Sequence, residues 1–350
     1  MQHWVSPTLR RGIAALLVLC AATVFGCGPS PAPTLYIYCN ETFWYVMQEE
    51  ARAFNKIYGI RIVLIPLRVP DAAAETVEID GNQDGPVAWR SMPGQSTVTQ
   101  VTPRAQIHPE IERQIARISD ESFGDLFLSD STKHREKLNE EALSLSSGDF
   151  PVCYLTLTMF VPKGNPYQFH SVKEVLETKR RLGIVDPSRD GLGDSSWTVL
   201  GRIVPGGEPA IPMELVQLYE RQYDLLEALE EKKIDAALVW NATSQVNFLL
   251  TKYASEYNTK NEKILNEISR QQNWQKLPLV LREMSETLVN EKRFAEEVPL
   301  TENPDEHFVM MVRLVALSST SNFVYGKRFA DFMRSNQGKE ILRRFRFIPE

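Results

Sequence analysis

The chain has 350 residues, 43% of them hydrophobic and 24% charged, and a net charge of −6. That balance excludes a disordered or low-complexity polypeptide, and the acidic surface argues against nucleic acid as a partner. Four cysteines in this length do not make a disulfide framework.

The first organised signal is N-terminal. Arg10 and Arg11 precede an apolar run over 13–26 (IAALLVLCAATVFG), and the small Gly26 stands directly before Cys27. This is the pattern of a cleaved export signal, and Val24-Phe25-Gly26-Cys27 reads as a lipoprotein processing site. The run is shorter than the roughly 20 apolar residues that span a membrane, so no permanent anchor helix is expected. Residues 1–26 are expected to be a signal peptide and 27–34 a Pro-rich tether carrying lipid on Cys27. The protein is then exported and held at a membrane, on its periplasmic or extracellular face.

Processing leaves Cys39 and Cys153, each in or at the end of a strand-like run, and buried free thiols are expected, with a Cys39–Cys153 bridge as the alternative. There is no CxxC or HExxH, and the five histidines are scattered, so neither a metal site nor a cofactor is expected. No GxSxG, Cys/His pair or carboxylate constellation suggests an enzyme.

Leu35–Cys39 reads as a strand, Phe43 to Gly59 as a helix with apolar residues at helical spacing, and Ile60–Pro66 as a second strand. Strand, helix, strand opens an α/β domain with a parallel sheet. Residues 67–107, rich in Pro and Gly, read as a loop-rich insertion. A helix is expected from Pro109, a buried strand over Asp125–Ser129, a helix over Lys133–Leu138, and a long strand over 152–161 that crosses between two lobes.

The second lobe repeats the order: helix Val172–Thr178, strand Leu182–Val185, turn 186–194, helix Ser195–Arg202, a helix near Met213–Glu231, and strand Ile234–Trp240. Residues 251–306 read as a charged, helix-prone insertion. Phe308–Leu317 reads as a strand, and Gly326–Phe345 as one closing amphipathic helix. The domain expectation is lobe 1 over 35–152 plus 308–350, lobe 2 over 153–250, and a charged insertion over 251–307.

The order of these elements resembles the extracellular molybdate-binding proteins, within the type II periplasmic solute-binding fold. The resemblance rests on LYIYCNETFWYVMQEEARAFNKIYGIRIVLIP, GDLFLSDSTKHREKL, MFVPKGNP, GIVDPSRDGLG, ALEEKKIDAALVWNATS and KRFADFMRSNQGKEILRRFRF, which follow one another as in that family. It implies a two-lobed α/β fold, each lobe a mixed, mainly parallel sheet flanked by helices and joined by crossing hinge strands. It also implies capture of a small ligand, an oxyanion such as molybdate, and delivery to an ABC permease by a monomer.

In such folds the ligand meets helix N-termini and strand ends in the interlobe cleft. The first candidate loop is Asn40-Glu41-Thr42, where Thr42 stands at the family's ligand-binding serine, as a hydroxyl donor or as a helix N-cap. The second holds Asp190 and Gly191, as an anion-binding turn or a surface turn in which Asp194 caps the next helix. The third is Trp240-Asn241, with Trp240 where the family carries a tyrosine, lining the pocket or packing in the hinge. The family's Ser-Ser-Gly loop after the second strand is replaced by Leu67-Arg68-Val69-Pro70. A second reading is a binding-like lipoprotein that acts as a sensor or interaction module without transport.

Overall fold

The computed structural model describes residues 32–67, 77–79, 109–121, 124–242, 292–303 and 308–350. The expected signal peptide, Cys27 and most of the two insertions lie outside the described residues. Strand β1 (Thr34–Cys39) leads through a single 3₁₀ turn (Glu41–Phe43) into helix α1 (Trp44–Tyr58) and strand β2 (Arg61–Pro66), parallel to β1 as the sequence reading expects. Helix α1 stops at Gly59, whose φ of 64° is the left-handed conformation in which glycine alone carries no Cβ penalty. Strand β3 (Val77–Ile79) pairs antiparallel with β2, so the insertion expected to be loop-rich contributes an edge strand.

Helix α2 (Pro109–Glu121) opens on a proline, which has no N–H to leave unpaired. Strand β4 (Leu126–Ser129) follows, buried along its length, and then α3 (Thr132–Glu140). Strand β5 (Ser144–Pro162) begins eight residues before the expected start. Its first half, SLSSGDFP, hides the strand because Gly148 and Pro151 are poor strand formers and its polar residues break the alternation.

Helix α4 (Val172–Glu177), strand β6 (Leu182–Val185) and helix α5 (Gly191–Ile203) come next. The helix expected near Met213–Glu231 is corrected to strand β7 (Val216–Tyr219) and helix α6 (Gln222–Glu230). The apolar spacing of VQLY suits either element, and pairing alongside β6 decides for the strand.

Strand β8 (Ala236–Trp240) is followed by β9 (Ala295–Val298), a strand within the insertion expected to be largely helix-prone. Then come β10 (Val309–Leu317), α7 (Phe323–Met333), α8 (Asn336–Arg344) and β11 (Ile348–Pro349). The single closing helix is thus two: Ser335 ends the run by accepting a hydrogen bond from Gly338 N–H at 3.3 Å, a new N-cap.

The strands form one sheet in the order β3-β2-β1-β4-β10-β5-β8-β6-β7, with β9 and β11 also on β5. At its two ends β2-β1-β4 and β7-β6-β8 are parallel triplets. Between them β5 and β10 run antiparallel to their neighbours. The arrangement is the mixed α/β sheet flanked by helices that the sequence predicts.

Strand β5 carries the chain from one triplet's half to the other. It pairs with β10 up to Thr156↔Val309, then with β8 from Leu157↔Trp240 and with β9 from Met159↔Val298. A bulge lies where Pro151, lacking an N–H, faces Arg313. On the first half α1 packs on α7 through Phe54, whose ring meets Phe329 edge-on at 5.0 Å and Phe332 at 5.6 Å. Among the described residues no helix is long and apolar enough to cross a membrane.

Cys39 and Cys153 are free and fully buried, in β1 and β5. Burial pushes both thiols far above their usual range, and for Cys153 the nearby Glu50 adds to it. Neither is therefore a nucleophile in the folded state. Both should resist iodoacetamide at pH 8 in native buffer and react quickly in denaturant, and alkylation of either in native protein would contradict this packing.

Candidate ligand-binding site

The carboxyl ends of the two parallel triplets face each other across the crossing strands, and the loops that leave them meet at one residue, Asp130. It follows directly after β4 and is 1% exposed. Asn40, from the loop after β1, donates its Nδ2–H to Asp130 Oδ1 at 3.2 Å. Trp240, at the end of β8 in the other half, donates its Nε1–H to Asp130 Oδ2, also at 3.2 Å.

The N-terminus of α5 closes on the same residue. A Cβ at Gly191 would stand 2.2 Å from the Asp130 carbonyl oxygen and 2.7 Å from its carbonyl carbon, so only glycine fits there. Removal from water raises the pKa of Asp130, while the bonds from Trp240, its own main chain and Asn40 pull it back.

Three of the six residues singled out from sequence, Asn40, Gly191 and Trp240, meet Asp130. Asn40 both reaches Asp130 and caps the 3₁₀ turn, its Oδ1 accepting from Thr42 N–H at 3.1 Å. The cap is therefore Asn40, not Thr42, and Thr42 lies within the turn, 3% exposed. Asp190 caps α5 by accepting from Gly193 N–H at 2.8 Å, which corrects the capping role expected of Asp194. Helix α5 begins at Gly191 because that cap, and not Asp194, satisfies its first free N–H groups.

Asn241 stands on the crossing strand: its N–H donates to Thr156 O at 2.9 Å and its Oδ1 accepts from Thr156 N–H at 3.4 Å. It marks the point at which β5 changes partners.

Further contacts tie the two halves together. Lys133, at the start of α3, meets Asp194 of α5 at 2.5 Å. Glu41 Oε1 accepts from Gln222 N–H, at the start of α6, at 3.0 Å. Arg221 is held by Asp224, with 2.7 Å from Nε to Oδ2. Burial opposes its charge, but the bond to Asp224 and the fields of Asp224, Glu41 and Glu220 outweigh that and raise its pKa.

Asp130, Lys133, Arg221 and Gln222 escaped the sequence reading. One signal was available: Asp130 directly follows the buried strand LFLS, and strand ends are where an α/β sheet puts its ligand. Arg221 and Gln222 were hidden inside the helix expected near 213–231. Among the described residues no group of three or more His, Cys, Asp or Glu is placed to hold a metal ion.

The model of the bacterial extracellular solute-binding proteins matches residues 92–347. The chain belongs to that family. Membership places this solute-binding protein outside the cytoplasm and gives it a small molecule to bind.

Among solved structures, a periplasmic thiamin binding protein superposes with a TM-score of 0.56 at 12% identity, over 91% of this chain and 83% of that one. The substrate binding domain of a putative molybdenum ABC transporter from Clostridium difficile gives 0.53 at 11%, over 91% and 99%. Iron-bound HitA from Pseudomonas aeruginosa gives 0.52 at 13%, over 89% and 83%. At these identities the likeness carries the type II solute-binding fold and nothing about the ligand. No curated protein matches the sequence.

Proposed function

We propose that this solute-binding protein is a lipid-anchored receptor that closes its two halves around a small solute and presents the closed form to an ABC permease. The observation that carries this reading is the convergence on Asp130 of loops from both halves, Asn40 from one and Trp240 and Gly191 from the other. The lobes are 35–152 with 308–350 and 153–250, and β5 with its partners is the hinge between them. Rotation about Thr156, where Asn241 is bonded, parts Asp130 from Trp240 and opens the cleft.

The seam suits reversible closure. The Lys133–Asp194 pair is partly exposed on both sides, and such pairs contribute at most about 1 kcal/mol. Such a pair is weak enough to break and re-form, and a solute bound between the halves adds closing free energy. A tether from Cys27 raises the local concentration of the receptor at its membrane partner.

The structurally similar substrate binding domain of the putative molybdenum transporter and the thiamin binding protein support a small ligand. An oxyanion is the class that the sequence resemblance implies. The carboxylate of Asp130 already takes the Asn40 and Trp240 donors, which weakens that choice.

The test is a thermal-shift panel on the mature chain with oxyanions, metal ions, amines, amino acids and sugars. A true ligand at 100 times its Kd stabilises by about 2.7 kcal/mol. Stabilisation by one class is expected, and no response to any of them would overturn the receptor reading. For the anchor, Cys27→Ser should abolish incorporation of labelled palmitate and move the protein from the membrane fraction to the soluble one. Unchanged labelling would overturn it.

A further inference from the structure

Resting on the receptor reading above, we infer that the cleft takes an organic solute bearing a protonated nitrogen, which donates to Asp130. The carboxylate is 1% exposed, and its two side-chain partners, Asn40 and Trp240, are neutral donors at 3.2 Å each.

The cations of the seam are matched to carboxylates of their own: Lys133 to Asp194, Arg189 to Glu220 at 3.1 Å, and Arg221 to Asp224. A buried carboxylate without a cation of its own is costly unless a proton or a positive ligand meets it. The bonds from Asn40 and Trp240 are long for charge-assisted ones, which run near 2.7–2.9 Å. Asp130 therefore has acceptor capacity left for a third donor.

Other buried polar atoms are also left without a partner. Gln222 Oε1, an acceptor, is buried without a partner, in a residue 3% exposed whose own N–H reaches across to Glu41. Ser131 Oγ, next in the chain to Asp130, is likewise buried and unpartnered in a residue 6% exposed. Ser196 Oγ, on α5, is a third. Gln222 Oε1 can only accept, which suits an N–H donor, whereas the two hydroxyls can accept or donate.

A divalent oxyanion would set like charge against Asp130. A metal ion fits no better, since the Asn40 and Trp240 groups aimed at the carboxylate are N–H donors. An ammonium or guanidinium group meets both conditions.

The experiment is calorimetric titration of the mature chain with putrescine, ethanolamine, arginine and thiamine, beside molybdate, sulfate, maltose, zinc and ferric citrate. Binding of at least one cationic organic solute is expected. Asp130→Asn should weaken it roughly tenfold or more, the loss of one charge-assisted bond. Trp240→Phe, which keeps the carboxylate, should retain the preference for cations even if Asp130→Asn does not fold. Binding of molybdate, sulfate, maltose or a metal with none of the cationic solutes overturns the ligand class and leaves the receptor reading standing. No binding at all overturns both.

Discussion

Replacing Gly191 by alanine is expected to weaken solute binding at least tenfold while the protein stays folded. At a helix N-terminus alanine is otherwise the better residue. The obstacle is the carbonyl of Asp130, 2.2 Å and 2.7 Å from where the Cβ would be. Those are backbone atoms at the end of a buried strand and cannot swing aside. The less costly adjustment is to hold the two halves apart, which lengthens the Trp240–Asp130 and Lys133–Asp194 contacts together.

A tenfold loss is about 1.4 kcal/mol, within the range of one net hydrogen bond in the closed form. Valine should do more than alanine. Titration of the identified solute measures the affinity, and small-angle scattering should show a larger radius of gyration with solute present. An alanine variant that binds as tightly as the parent would show that closure does not bring Gly191 onto Asp130.

The second large effect is on stability and its pH dependence. Glu50 lies in α1, is wholly buried, and neither carboxyl oxygen has a hydrogen-bond partner. Burial raises its pKa well above the usual range, the field of Arg344 opposes this, and Glu49 reinforces it; Cys153 lies close enough to feel its charge. The folded state thus keeps a proton that the unfolded chain releases near pH 4.3. Stability contributed by that proton is present below the unfolded pKa and is lost as pH rises toward the folded one, by up to about 1.4 kcal/mol per pH unit.

Glu50→Gln, of the same shape but without the titration, should flatten the stability curve above pH 4.5. Glu50→Leu, which removes the orphaned oxygens, should raise stability at pH 7 by about 1–3 kcal/mol. Urea unfolding at pH 5 and pH 8 reads both. An unchanged pH slope in Glu50→Gln would mean that Glu50 is ionised in the folded protein.

The fold was largely legible from residue patterns. Strands such as LYIYC, LFLS and AALVW are short apolar runs bounded by turn residues, and α1 shows its buried stripe. The misreadings have one physical cause. The first half of β5, and β7, β3 and β9, become strands through hydrogen bonds to other segments of the chain, and their own sequence does not single out a strand. The single closing helix failed for a smaller reason, a Ser335 cap that an amphipathic count does not register.

What the sequence by itself determined about this protein is its class: two runs of α/β elements, and the loops of Asn40, Asp190 with Gly191, and Trp240. Those are local properties, set by apolar period, turn residues and N-cap chemistry. Only the tertiary structure brought these loops to one carboxylate. Asp130 is 90 residues from Asn40 and 110 from Trp240, and nothing local to it encodes that meeting. The surroundings of that carboxylate depend on how two half-sheets meet over a strand end, and they therefore belong to the fold.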